Sequence, residues 1–262
     1  MAEFINTIDV LGDDAVMDSI IDRSITEFKD NMITEVGRYA FSNCTSLVLV
    51  DLPEVTRIHP YSFPGCNALD TLRIPKAKPA LQSWESAFDF RGLSSLHTLE
   101  LSDAVDWKYS NMFNGCADLE TLSLPNTTIF GQASCRGCTS LNTVYAPKVH
   151  TINNTAFYSC SSLTMLDLPS LTAINGFDQF NSCTSLRALV LRNTDAVCTL
   201  NISRTFKDTP IENGTGYIYV PRALVDSYKA ATNWSTYADQ IRAVEDYTVD
   251  GTISGDMNKT KI

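Results

Sequence analysis

Cysteine and histidine are the side chains here with the most latent chemistry, and their spacing says what chemistry is open to them. The chain carries eight cysteines and three histidines. Cys135-Arg136-Gly137-Cys138 is the one Cys-x-x-Cys, a spacing that suits zinc or a redox dithiol. Zinc needs four ligands, no second such motif exists, and the nearest histidine in sequence, His150, falls in a different turn of the repeat set out below. His59, His97 and His150 are far apart. No Ser/His/Asp spacing, nucleophile elbow, HExxH or phosphate-cradling glycine loop occurs. The carboxylates are scattered over turns, as a solvated face requires. No catalytic residue, metal ligand or cofactor site is therefore assigned, and no enzyme activity is expected. Asn-x-Ser/Thr triplets, among them Asn43, Asn126 and Asn233, are read as coincidence, since Asn43 directly precedes a core cysteine.

The cysteines make sense once the elements that position them are laid out. Aligning on Cys44, Cys66, Leu93, Cys116, Cys138, Cys160 and Cys183 gives steps of 22, 27, 23, 22, 22 and 23 residues. Three residues before each stands Phe41, Phe63, Phe90, Phe113, Cys135, Phe157 or Phe180. Three residues after stands Leu47, Leu69, Leu96, Leu119, Leu141, Leu163 or Leu186. A cysteine at one place in every turn packs as a small hydrophobe. Leu93 taking that place, and Cys135 taking a phenylalanine's place, support construction over reactivity. Cys198 lies off register and is either buried and reduced or, in an oxidising compartment, free to pair.

Each leading leucine opens Leu-x-x-Leu-x-Leu, usually closed by proline, as in Leu163, Leu166, Leu168 and Pro169. That alternation predicts a short strand with one face inward, stopped by a residue that has no N–H for the ladder. A second apolar pair follows, such as Val55 and Ile58 or Leu171 and Ile174. One repeat cannot bury its own apolar face, whereas stacked copies bury a continuous one. The expected fold is a solenoid of short parallel strands, one per turn of about 22 residues, making a sheet roughly 30 Å across at the usual strand spacing.

The F-x-x-C-x-x-L-x-x-L-x-L-P copies from Tyr39 to Arg192 resemble the BspA-like, or treponemal-type, class of leucine-rich repeats. The third copy departs through Leu93 and the insert KPALQSWESAFDF, the fifth through Cys135. The resemblance implies a leucine-rich-repeat solenoid used as a recognition scaffold. It also implies surface exposure, because repeats of this class occur in bacterial adhesins and in bacteriophage proteins.

Four regions follow. Residues 1–37 form an N-terminal cap or docking segment, with Asp13 or Asp14 as N-cap of a helix facing Val16 and Ile20 inward, then a strand near Ile25 to Phe28. Residues 38–192 hold the seven repeats. Residues 193–246 form a degenerate repeat and a C-terminal cap, in which Pro221 opens a helix with Leu224, Val225, Tyr228 and Ala231 apolar. Residues 247–262 form a polar tail, flexible or extended.

The formal charge of −10 and pI near 4.7 disfavour nucleic acid and anionic membrane surfaces as partners. No apolar run reaches the roughly 20 residues of a membrane span. The N-terminus shows no basic, apolar secretory leader, which leaves either a chain made without one or the mature form of a cleaved precursor; taken with the resemblance, the first case implies a virion protein made in the host cytoplasm and released by lysis. The alternative is a bacterial cell-surface adhesin.

Outward-facing strand positions remain as the place for function. They carry threonine and tyrosine where a merely soluble surface would carry more Lys and Glu. Arg73, Thr98, Thr121, Thr143, Tyr145, Met165 and Tyr219 are the expected ligand-binding residues. The expected function is a non-enzymatic recognition or adhesion module, a tail, baseplate or head-fibre component touching a cell-surface protein or glycan. A purely architectural or decoration subunit bound to other virion proteins is the other reading. A homo-oligomer suits either, although no heptad run encodes one.

Overall fold

In the computed structural model, residues 10–11, 22–80, 90–249 and 252–253 are described, with side chains for 22–80 and 90–247. The predicted N-terminal helix around Val16 and Ile20 lies outside them. The chain winds as a solenoid in which every turn presents its apolar positions to one core running from Phe28 to Ile241. Each Leu-x-x-Leu-x-Leu forms a front strand, and the second apolar pair forms a shorter strand on the flank, so there are two ladders rather than one.

The front ladder joins Glu27–Lys29, Leu49–Asp51, Thr71–Ile74 and Thr98–Leu101. It resumes with Thr121–Ser123 and Thr143–Tyr145, then with Met165–Asp167, Ala188–Val190, Tyr217–Val220 and Ile241–Ala243. All of these pairs are parallel. The flank ladder runs Val10–Leu11, Glu35–Val36, Arg57–Ile58, Lys78–Pro79, then Ile129–Phe130, Thr151–Ile152, Ala173–Ile174, Thr199–Leu200. Residues 22–37 thus add a strand to each ladder and continue the solenoid.

The front ladder is interrupted after Thr98–Leu101 and again after Thr143–Tyr145, and the flank ladder lacks a strand in the third copy. Its flank position is filled by a loop: the Asp106 carboxylate accepts from the Thr128 N–H and hydroxyl at 2.9 and 2.8 Å. Trp107 is buried beside it, its Nε1 donating to the Ser102 carbonyl at 3.0 Å. The core nevertheless passes through without interruption.

A third set of inter-turn bonds runs along the Phe-x-x-Cys arcs. The N–H groups of Tyr39, Phe41 and Asn43 donate to the carbonyls of Tyr61, Ser62 and Pro64 at 2.8–2.9 Å, and the arcs at Phe113 and Phe157 repeat the pattern. Aiming three N–H groups one way requires positive φ two residues after the aromatic position. That column reads Asn43, Gly65, Gly92, Gly115, Gly137, Ser159, Ser182 and Asp208, all at positive φ and all small or side-chain-bonding types that tolerate it. At Gly65 a Cβ would also lie 2.7 Å from the Asn43 Oδ1.

Inside the arcs the phenylalanines stack: Phe41 on Phe63 at 5.0 Å and 9°, Phe180 on Phe206 at 5.4 Å and 3°. Where Cys135 replaces the ring, Phe130 from the flank strand meets Phe157 edge-on at 4.8 Å and fills the place. The cysteine thiols donate to the carbonyl of the aromatic position one turn back, Cys66 to Phe41 at 2.9 Å, Cys138 to Phe113 at 3.1 Å and Cys183 to Phe157 at 2.9 Å. All eight cysteines are buried and free, Cys198 included.

The C-terminal cap differs from the expected single helix. A 3₁₀ turn at Arg222–Leu224 leads into a short helix, Val225–Ala230, and a second 3₁₀ stretch at Trp234–Gln240. Asn233 at φ 66° makes the bend between them. The cap closes the flank ladder with side chains instead of a further strand. Tyr228 Oη accepts from the Cys198 N–H at 2.8 Å, Trp234 Nε1 donates to Cys198 O at 2.6 Å, and Asn233 Nδ2 donates to Leu200 O at 2.7 Å. Tyr237 Oη donates to Ser203 O. Glu212 accepts the Asp208 N–H at 2.7 Å, replacing the carbonyl of an absent next turn.

Within the tail beyond Tyr247, Thr248–Val249 pairs antiparallel with Thr252–Ile253, and its other residues from 250 onward lie outside those described.

Candidate recognition face

The outward rows of the front ladder are fixed by strand alternation. One row carries Glu27, Leu49, Thr71 and Thr98, then Thr121 and Thr143, then Met165, Ala188 and Tyr217. The other carries Lys29, Asp51, Arg73 and Glu100, then Ser123 and Tyr145, then Asp167, Val190, Tyr219 and Arg242.

Six of the seven expected residues, Arg73, Thr98, Thr121, Thr143, Tyr145 and Met165, are exposed on this face. Tyr145 is 57% exposed and Met165 37%. Arg73 stands in a ladder of alternating charge, 3.6 Å from Asp51 and 3.9 Å from Glu100, so its charge is engaged within the face. Threonines 98, 121 and 143 continue one row, and the Thr143 hydroxyl donates to Asn142 Oδ1 at 2.8 Å.

Tyr219 is the exception. It points outward by register but is only 1% exposed, covered by Val244 and Tyr247. Tyr247 meets it edge-on at 5.2 Å, and burial pushes its phenol up to about 12. Ala188 and Val190 are buried under the same cover. Strand alternation names the side a residue faces; it does not name what returns to cover that side.

Around the strip several charged groups are engaged. Arg192 holds Asp167 through Nε and Nη2 at 2.7–3.0 Å, and Arg242 lies 4.7 Å over the Tyr217 ring. His97 sits beside Asp70 at 2.9 Å; the Ser95 carbonyl, then Asp70 and Asp118, draw its imidazole upward in pKa. Among the described residues no group of three or more His, Cys, Asp or Glu is placed to hold a metal, and no helix is long and apolar enough to cross a membrane. Cys135 and Cys138 are core residues, with the side-chain hydrogen bond to Cys135 and then burial pushing the Cys138 thiol well up.

The model of the BspA type leucine rich repeat region matches residues 22–129, 81–187 and 108–216. Among solved structures, a leucine-rich repeat protein of Bacteroides ovatus is similar at 20% identity and a TM-score of 0.50, over 76% of this chain and 56% of that one. A leucine rich cell surface protein of Faecalibacterium prausnitzii is similar at 22% identity and 0.42, over 77% and 48%. A T. pallidum leucine rich repeat protein follows at 17% and 0.44, over 70% and 74%. The chain spans about half the length of the first two. None of the curated proteins shows a significant match. Repeat period, arc chemistry and family match agree: the chain belongs to the BspA-type leucine-rich-repeat family.

Proposed function

We propose that this chain is a non-enzymatic recognition module that engages a surface ligand with the outward face of its front ladder. The observation that carries this reading is the exposure of Thr98, Thr121, Thr143 and Met165 in one outward row with Tyr145 in the other. A face kept only for solubility would carry lysine and glutamate there, whereas Tyr and Thr give contact area at low entropic cost. Family membership supports a scaffold role. The virion setting expected from the sequence rests on that expectation alone, and none of the proteins named above is described as a virion component. A bacterial cell surface is the other setting; immunogold labelling of intact cells and of phage particles with an antibody to the chain assigns it to one.

The test is saturable binding of the labelled chain to intact bacterial cells and to their extracted surface glycans and proteins. Tyr145→Ala is expected to weaken binding while leaving the circular dichroism and melting unchanged. Binding unaltered by substitution anywhere on this face would overturn the proposal.

A further inference from the structure

The apolar strip on the front face continues beyond the exposed residues. Met165 stands in register with Ala188 and Tyr217, and Asp167 with Val190 and Tyr219. Ala188, Val190 and Tyr219 are buried, yet in a cluster separate from the solenoid core, because they lie on the other side of the sheet. Their cover is polypeptide. After the last front strand, Ile241–Ala243, the chain turns and lays Val244 and Tyr247 across them. One end of the strip is therefore filled in cis by one aliphatic and one aromatic side chain.

The strip does not stop where that cover stops. Met165 on the neighbouring strand and Tyr145 on the turn before it remain open. At their border Asp167 pairs with Arg192 and Thr143 with Asn142. Tyr145 and Met165 leave ring and thioether area open to solvent, and methionine adapts its shape to a partner readily.

We infer that Tyr145 and Met165 form a docking site for an extended polypeptide segment of a partner, one bearing aromatic and β-branched side chains like those that Val244 and Tyr247 lay on the covered end. The inference rests on the recognition-face reading and narrows it to polypeptide. Continuity with a polypeptide-covered surface favours peptide over glycan.

The test uses the full chain, immobilised, against a displayed random-peptide library and, in parallel, a glycan array. Selected peptides should share an aromatic residue beside β-branched ones. Resynthesised, they should bind saturably and lose about tenfold or more in affinity to Met165→Glu and to Tyr145→Ala, with Lys76→Ala as an unaffected control away from the strip. Glycans bound through Tyr145 and Met165 with no peptide selected would overturn the polypeptide inference and keep the recognition face. Selected peptides that lack aromatic residues would also overturn it. Binding indifferent to both substitutions, or none in either arm, would overturn the inference and the face together.

Discussion

At the repeat's cysteine position a thiol fills a gap between turns and donates to the aromatic-position carbonyl one turn back, as Cys183 does to Phe157 at 2.9 Å. Sulfur is large enough to pack and polar enough to satisfy that carbonyl weakly. Burial pushes the thiols of Cys160 and Cys198 up, the latter to about 12, so neither offers a thiolate near neutrality. Ellman's reagent should leave the native cysteines unmodified and titrate eight on unfolding. Fast labelling of Cys135 or Cys138 in the native state would contradict their structural role. Cys183→Ala, losing both the packing and the bond, is expected to destabilise by roughly 1–3 kcal/mol in urea unfolding. The tyrosines divide by environment: Tyr145→Ala should change stability by less than about 0.5 kcal/mol, whereas Tyr219, packed under Tyr247, should cost several times that.

Turns and caps set the next scale. The loop that replaces the third copy's flank strand hangs on Asp106. Burial alone would raise its pKa, but the Thr128 N–H and hydroxyl, with Lys108, outweigh that and hold the carboxyl below its ordinary value of 3.8. Because the folded value is the lower one, the stabilisation is complete above the unfolded pKa and is lost as pH falls through the depressed folded value. Asp106→Asn should flatten the fall in urea midpoint below about pH 4, and an unchanged acid profile would refute this. At the far end, Trp234→Ala removes a buried ring and the donor to Cys198 O, and is expected to cost about 3–5 kcal/mol with aggregation through the uncovered flank edge. How legible these elements were in the sequence depended on repetition. A core position visited every turn, such as Phe41, Cys44 or Leu47, meets the same surroundings each time, so its role showed in the period. The front-ladder break after Thr143–Tyr145 falls between copies spaced 22 residues apart like their neighbours, and the return of Val244 and Tyr247 over Tyr219 is a single long-range contact. Neither leaves a periodic trace.

For the molecule as a whole, one core sealed by the C-terminal side-chain cap leaves the front face as the surface on which threonine, tyrosine and methionine stand exposed in register. The flank ladder has exposed positions too, but its strands are two residues long and its first turns carry the charged Glu35, Arg57 and Lys78. The central claim is that recognition uses the front face. The most direct measurement compares two folded variants for binding to intact bacterial cells: Thr143→Trp, which places bulk at the centre of the front row, and Thr151→Trp, which places the same bulk on the flank. The account predicts that Thr143→Trp abolishes saturable binding while Thr151→Trp binds as the parent chain does. Full binding by Thr143→Trp together with loss in Thr151→Trp would contradict it.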